Sequence, residues 1–115
     1  MTIEIFHNPR CSKSRATLSL LQERGYEPTV RLYLEDPPDA AELRSILDRL
    51  GIGARALLRK GEAEFRELGL ADESLDEAAL IAAMMEHPRL IERPIVIAGP
   101  RAAIGRPPEA VLEIL

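Results

Sequence analysis

A helix-like stretch set directly between two strand-like runs constrains this chain more than any other feature. The run IEIF, Ile3–Phe6, is short and apolar, as a strand of a buried sheet should be. Ser12–Arg24 follows as a helix, with Leu18, Leu21 and Ala16 assigned to one side and Gly25 at the left-handed C-terminal position. EPTVRLYL then alternates enough for a second strand, about Thr29–Tyr33. Two strands joined through a helix pair in parallel with a right-handed crossover.

The remainder is punctuated by proline and glycine. Asp36-Pro37-Pro38 ends the second strand, and a helix from about Asp39 to Leu50 carries Leu43, Ile46, Leu47 and Leu50 up to Gly51. ARALLRKGEAEFRELGL suggests one or two short helices around Gly61 and Gly69. SLDEAALIAAMMEHP predicts another, capped by Ser74 or Asp76 and closed by Pro88. A strand is expected after Pro94, then a GPR turn, a returning strand in AAIG, and a final helix in RPPEAVLEIL that begins on prolines. The fold class expected is α/β: a mixed sheet in the order β-α-β … β-β-α, with a helical insertion at about 37–90, in one domain spanning 1–115.

Composition removes several function classes. Aromatics are 3% with no Trp, and the net charge is -4, so neither base stacking nor phosphate attraction is supported and no nucleic-acid partner is expected. No apolar run reaches the roughly 20 residues of a membrane span, and MTIEIFHN lacks the basic and apolar regions of a secretory signal. A single Cys excludes an internal disulfide framework, and a cytoplasmic protein with a free thiol is expected. Cys11, His7 and His87 have no metal-ligand spacing, so no metal is expected.

That Cys lies in HNPRCSKSR, where the first strand gives way to the first helix. Unpaired amides and the positive end of the dipole favour an anion there, and such cysteines have pKa values lowered from ~8.5 to as little as ~3.5–7.5. Arg10, Lys13 and Arg15 surround it, and His7 precedes it by four positions. The same amides can cradle an oxyanion. A plainer reading also fits these residues: a small buried thiol, a hydrogen-bonding His and a solvated basic face. The C-x-x-S spacing puts Ser14 where a dithiol motif would have its second Cys, so the chain cannot close its own disulfide.

With Cys11 placed, the chain resembles the glutaredoxin-coupled arsenate reductases, the ArsC family, in its short form. HNPRCSKSRATL, LYLEDPP, ALLRKGE, LIERPIVI and IGRPPEAVLEIL look like that family's signature blocks, in order, over essentially the whole chain. The resemblance implies a thioredoxin-like fold and an arsenate reductase. Cys11, Arg59, Arg93 and Arg106 would be the catalytic residues, and these with Ser12 and Ser14 would bind the oxyanion. His7, Arg15 and Pro94 would support them, with the Arg93–Pro94 bond cis. It also implies glutathione as co-substrate, glutaredoxin as partner, no bound cofactor and a monomer. Phe6 stands where many relatives have Tyr. Two alternatives share the fold: an Spx-like redox-responsive transcription regulator, which usually carries C-x-x-C, and a glutathione-linked thiol-transfer protein without arsenate activity.

Overall fold

The computed structural model describes residues 2–115, and they form two compact units. Residues up to Asp36 together with Arg93–Leu115 make the first, and Pro37–Glu92 the second.

In the first unit β1 (Ile3–Phe6), α1 (Ser12–Glu23) and β2 (Thr29–Arg31) are followed by β3 (Ile95–Ala98), β4 (Arg101–Ile104) and a 3₁₀ segment, Pro108–Ile114. The sheet order is β2-β1-β3-β4. β1 runs parallel to β2, with Ile5 opposite Val30, and antiparallel to β3, with Ile5 opposite Val96; β3 and β4 are antiparallel. The expected mixed sheet is therefore present, and Arg93–Pro94 is cis. A two-residue hairpin loop joins β3 to β4, and Gly99 supplies the positive φ (58°) at its first position.

Strand periodicity decides which residues are buried together. Ile3 and Ile5 share a face of β1 and meet Val96 and Ala98 of β3, Leu21 of α1 and Val111 of the 3₁₀ segment. Ile5, Leu21, Val96 and Val111 are fully buried, and burying each such side chain is worth about 1.5–3 kcal/mol. Phe6 points to the other face and stacks on Tyr33, with ring centroids 6.3 Å apart.

Three local expectations are corrected. The inner face of α1 is Ser14, Thr17 and Leu21 with Leu18 partly buried, while Ala16 is exposed. Polar residues can occupy it because both are satisfied: Thr17 Oγ1 donates to Lys13 O (2.8 Å), and Ser14 is bonded within the β1–α1 loop. β2 stops at Arg31 rather than Tyr33, because the Glu35 and Asp36 amides both turn back onto Leu32 O (3.0 and 2.9 Å). The C-terminal segment is 3₁₀, not α: Pro107 and Pro108 remove two amides, and Ala110 N–H closes onto Pro107 O (3.0 Å). A period of three puts Val111 and Ile114 on one edge, against the core. A second cis bond, Arg106–Pro107, was not anticipated from the sequence.

The second unit is helical: α2 (Ala40–Leu50), α3 (Ala54–Leu57), α4 (Ala63–Glu67), α5 (Glu77–Glu86) and a 3₁₀ turn, Pro88–Leu90. Asp39 and Glu42 form a capping box at the start of α2, which buries Leu43, Ile46 and Leu47. Of the two caps considered for α5, Asp76 takes the role, accepting from Ala79 N–H (2.9 Å), while Ser74 bonds Asp72 instead. No helix among the described residues is long and apolar enough to cross a membrane.

Gly105 is required by close packing. A Cβ there would lie 2.5 Å from Thr17 Oγ1 and 2.8 Å from Pro94 Cγ. Gly105→Ala should therefore destabilise the protein by about 1–3 kcal/mol. Gly61→Ala, where a Cβ meets nothing within 4 Å, should be neutral or slightly stabilising, by up to about 1 kcal/mol. Urea denaturation of both variants checks the contrast.

Candidate active site

Cys11 is the N-cap residue of α1, with extended backbone angles (φ -95°, ψ 122°). Its own N–H donates to Asn8 O and its C=O accepts from Arg15 N–H, both at 3.0 Å, so its backbone belongs half to the loop and half to the helix. The sulfur is left beside the free amides of the first turn, those of Lys13 and Ser14. The side chain is almost fully buried.

Two arginines of the β3 and β4 ends reach the same sulfur. Arg93, just before β3, hydrogen-bonds it through its side chain. Arg106, just after β4, places Nη2 3.7 Å from Sγ, while its Nε donates to Arg93 O at 2.8 Å. Each arginine precedes a cis proline, and Gly105 N–H closes onto Pro94 O at 2.9 Å. The backbones carrying the two guanidinium groups are therefore tied to each other.

Burial pushes the Cys11 thiol up, but the Ser14 amide, then the Arg93 side chain and its charge, and then the Lys13 amide outweigh it, leaving the pKa below the usual thiol value. His7 is held below its usual value by burial first and by the Arg15 charge second. Its ring is thus neutral. Asn8 N–H donates to Ser14 Oγ at 3.0 Å, and Ser14 Oγ shares a 2.6 Å hydrogen bond with His7 Nδ1, whose direction follows the tautomer of the ring. Arg15 crosses the loop and donates to Pro9 O at 2.9 Å.

These positions sort the residues expected from the sequence. Cys11, Arg93 and Arg106 come together around the sulfur. Ser12 is exposed at the first helical position. Ser14 meets the sulfur only through its amide, because its hydroxyl is committed to His7 and Asn8. Arg15 braces the loop, and Pro94 anchors Gly105. Arg59 lies in the second unit, where its Nη1 pairs with Glu92 Oε1 at 3.0 Å and its Nε with Glu62 Oε1 at 3.3 Å. Sequence reasoning missed Asn8, whose C=O accepts the Cys11 amide and whose Oδ1 accepts the Arg10 amide (3.0 Å). The Asn8-Pro9 pair, a turn-forming dipeptide, was the available signal. Among the described residues no group of three His, Cys, Asp or Glu could hold a metal.

This geometry gives two expected outcomes. Iodoacetamide alkylation of Cys11 followed against pH should titrate below the ~8.5 of a free thiol. Arg93→Ala should move that midpoint up, whereas Lys13→Ala should barely move it, because Lys13 acts through its amide. The second concerns His7. Its folded pKa lies below the unfolded 6.5, so the unfolded ring takes up a proton first as pH falls. The stability it contributes is whole above about pH 6.5 and drains as pH drops through the lowered folded value. Urea midpoints measured from pH 7.5 to 5 should fall more steeply in the wild type than in His7→Gln.

The likeness to known proteins agrees with this architecture. Residues 6–114 match the ArsC family. The uncharacterised Escherichia coli K12 protein YfgD is 60% identical over 98% of this chain and 96% of its own length. An arsenate reductase of Neisseria meningitidis is 52% identical over 98% of this chain and 97% of that protein. The solved arsenate reductase of Vibrio cholerae is 52% identical, superposes with a TM-score of 0.98, and shares 100% of this chain and 98% of its own. With that coverage, and with a thiol held at a helix start among fixed arginines, the chain belongs to the ArsC family.

Proposed function

We propose that this protein is an arsenate reductase that turns over with glutathione and glutaredoxin. The observation that carries the reading is the Cys11 sulfur, lowered in pKa by two helix-start amides and Arg93 and approached by Arg106. A nucleophile and oxyanion donors occupy one place, and full-length relatives at 52% identity bear the arsenate reductase name.

The Cys11 thiolate attacks arsenate and displaces hydroxide or water, forming a sulfur–arsenic bond. Arg93 and Arg106 hold the oxyanion; planar guanidinium groups suit its oxygens and stay charged at any working pH. Arg59 enters the proposal through the family resemblance. His7, kept neutral, and Ser14 hold the loop so that the amides stay on the sulfur. Glutathione then attacks the adduct. Arsenic accepts two electrons and leaves as arsenite, while the two sulfurs end as a glutathione–Cys11 mixed disulfide. Glutaredoxin removes the glutathione and returns the thiolate. The second sulfur has to come from outside because the chain has one Cys, and Ser14 occupies the resolving position. A cytoplasmic location, where glutathione is abundant, fits the scheme, and a monomer suffices for it.

Turnover should require arsenate, glutathione and glutaredoxin together, with one glutathione found on Cys11 of stalled enzyme by mass spectrometry. Arg59→Ala, Arg93→Ala and Arg106→Ala should each lower kcat/KM by about 10²-fold or more, the usual cost of losing one oxyanion donor. Sustained turnover on thioredoxin and its reductase, with no small thiol, would overturn the scheme. An enzyme that exchanges glutathione at Cys11 but ignores arsenate would instead be a thiol-transfer protein.

A further inference from the structure

Beside the loop that ends on Cys11, the first unit contains a cavity of about 220 Å³. One wall is the loop itself, His7, Asn8, Pro9 and Arg10; the other is Leu32, Leu34 and Glu35 in the turn after β2. Nothing in the oxyanion chemistry uses it. Arg31 fastens both walls. Its C=O accepts His7 N–H at 2.9 Å, its Nε donates to Asp36 O at 3.0 Å, and its guanidinium lies 5.0 Å over the Phe6 ring. The turn is closed internally by the Glu35 and Asp36 amides on Leu32 O. The cavity is thus preformed, as ligand sites usually are.

Its lining is unusual for solvent-facing surface. Leu32 and Leu34 are 37% and 38% exposed, with Val30 at 43% next to them, and these account for three of the four large hydrophobic side chains exposed among the described residues. Arg10 and Glu35 present a cation and an anion on opposite walls, and neither takes part in an ion pair among the described residues. Two opposite, uncommitted charges flanking an apolar strip complement a small molecule that carries a carboxylate, an ammonium group and a short apolar stem. The volume lies just below the roughly 300–1,000 Å³ of ordinary small-molecule sites. A cavity of that size takes the charged end of a small molecule rather than the whole of it.

We infer that this cavity binds the small zwitterionic thiol, or its disulfide, that exchanges with Cys11. Its carboxylate sits on Arg10, its ammonium on Glu35, and its stem over Leu32 and Leu34. The inference rests on the proposed thiol-dependent turnover and names where that thiol is recognised. In the exchange step the Cys11 thiolate attacks one sulfur of the disulfide. The sulfur–sulfur bond breaks, the departing thiolate takes the electron pair, and a mixed disulfide forms at Cys11 with no other oxidant.

The test compares two disulfides as probes: glutathione disulfide, which carries the charges, and 2-hydroxyethyl disulfide, which carries none. Rates of mixed-disulfide formation at Cys11 are measured by mass spectrometry in the wild type and in Glu35→Gln, Leu34→Asp and Arg10→Gln. The ratio of the two rates should fall about fivefold or more in Glu35→Gln and in Arg10→Gln, the size expected for losing one charge-assisted contact. Leu34→Asp should lower it as well. An unchanged ratio in all three variants overturns the inference, and so does an equal loss for both disulfides, which would mean that only sulfur reactivity had changed. No arsenate is present in this assay. Failure of arsenate reduction therefore leaves the result readable, and an unchanged ratio in an enzyme that does reduce arsenate rejects the cavity alone.

Discussion

The site depends on one fully buried serine whose two polar groups face opposite ways. The Ser14 amide points at the Cys11 sulfur, and its hydroxyl joins Asn8 N–H to His7 Nδ1. Neither bond can be lost cheaply, since a buried polar group left without a partner costs about 1–3 kcal/mol. Because one residue makes both, the loop cannot move away from β1 without moving the amide that holds the thiolate. The low pKa of His7 belongs to the same arrangement. A neutral ring can accept or donate at Nδ1 according to its tautomer, whereas a protonated ring can only donate there. Arg15 contributes twice, by holding Pro9 O and by keeping His7 uncharged through its own positive charge.

The arginine side of the site is tied in a comparable way by different means. Arg106 is fixed because its Nε is spent on Arg93 O, leaving Nη2 for the sulfur. That bond needs the ends of β3 and β4 to lie close, and the four-residue antiparallel register from Ile95 with Ile104 to Ala98 with Arg101 brings them there. Gly105 lets the β4 end approach Pro94 and Thr17 at a distance that no side chain would permit. Thr17 is also on the inner face of α1, nearly two turns after Cys11. Helix and sheet end are thereby held together beside the two arginines that reach the sulfur.

Much of this was legible in the sequence, and the misses share a cause. The parallel first pair, the closing hairpin, the positions of the long helices and the placing of Cys11 at a helix start followed from periodicity, caps and the strand-to-helix joint, whereas the pairing of β1 with β3 that orders the sheet did not. The inner face of α1 is hidden from the sequence because Ser14 and Thr17, which form it with Leu21, are polar. Their burial depends on partners outside the helix pattern: a histidine seven residues away for one, the close approach of Gly105 for the other. β2 is shorter than the sequence suggests because Leu32 and Tyr33 continue the alternation, while the turn that ends it, made by the Glu35 and Asp36 amides on Leu32 O, leaves no mark in that pattern. The arginines carried no signal of their own. Arg93 and Arg106 look like surface residues until the sheet brings their ends together, so only the family resemblance singled them out.

The electrostatics of Cys11 show why the site combines opposing effects rather than maximising one. Full exposure to cations would lower the thiol pKa further, but a thiolate loses intrinsic nucleophilicity as its pKa falls, with a Brønsted slope of about 0.4–0.5. Burial acts in the other direction and is the largest single influence on this group. It keeps the anion poorly solvated, so the donors that do reach it are few and directional: two amides and the Arg93 side chain, with Arg106 adjacent. When sulfur bonds to an electrophile its charge is lost, and those same donors are released towards the oxygens that now carry the charge. In the proposed reaction, donors placed first for the thiolate would thus become donors for the bound oxyanion with little rearrangement, the condition under which preorganised dipoles contribute most to a reaction.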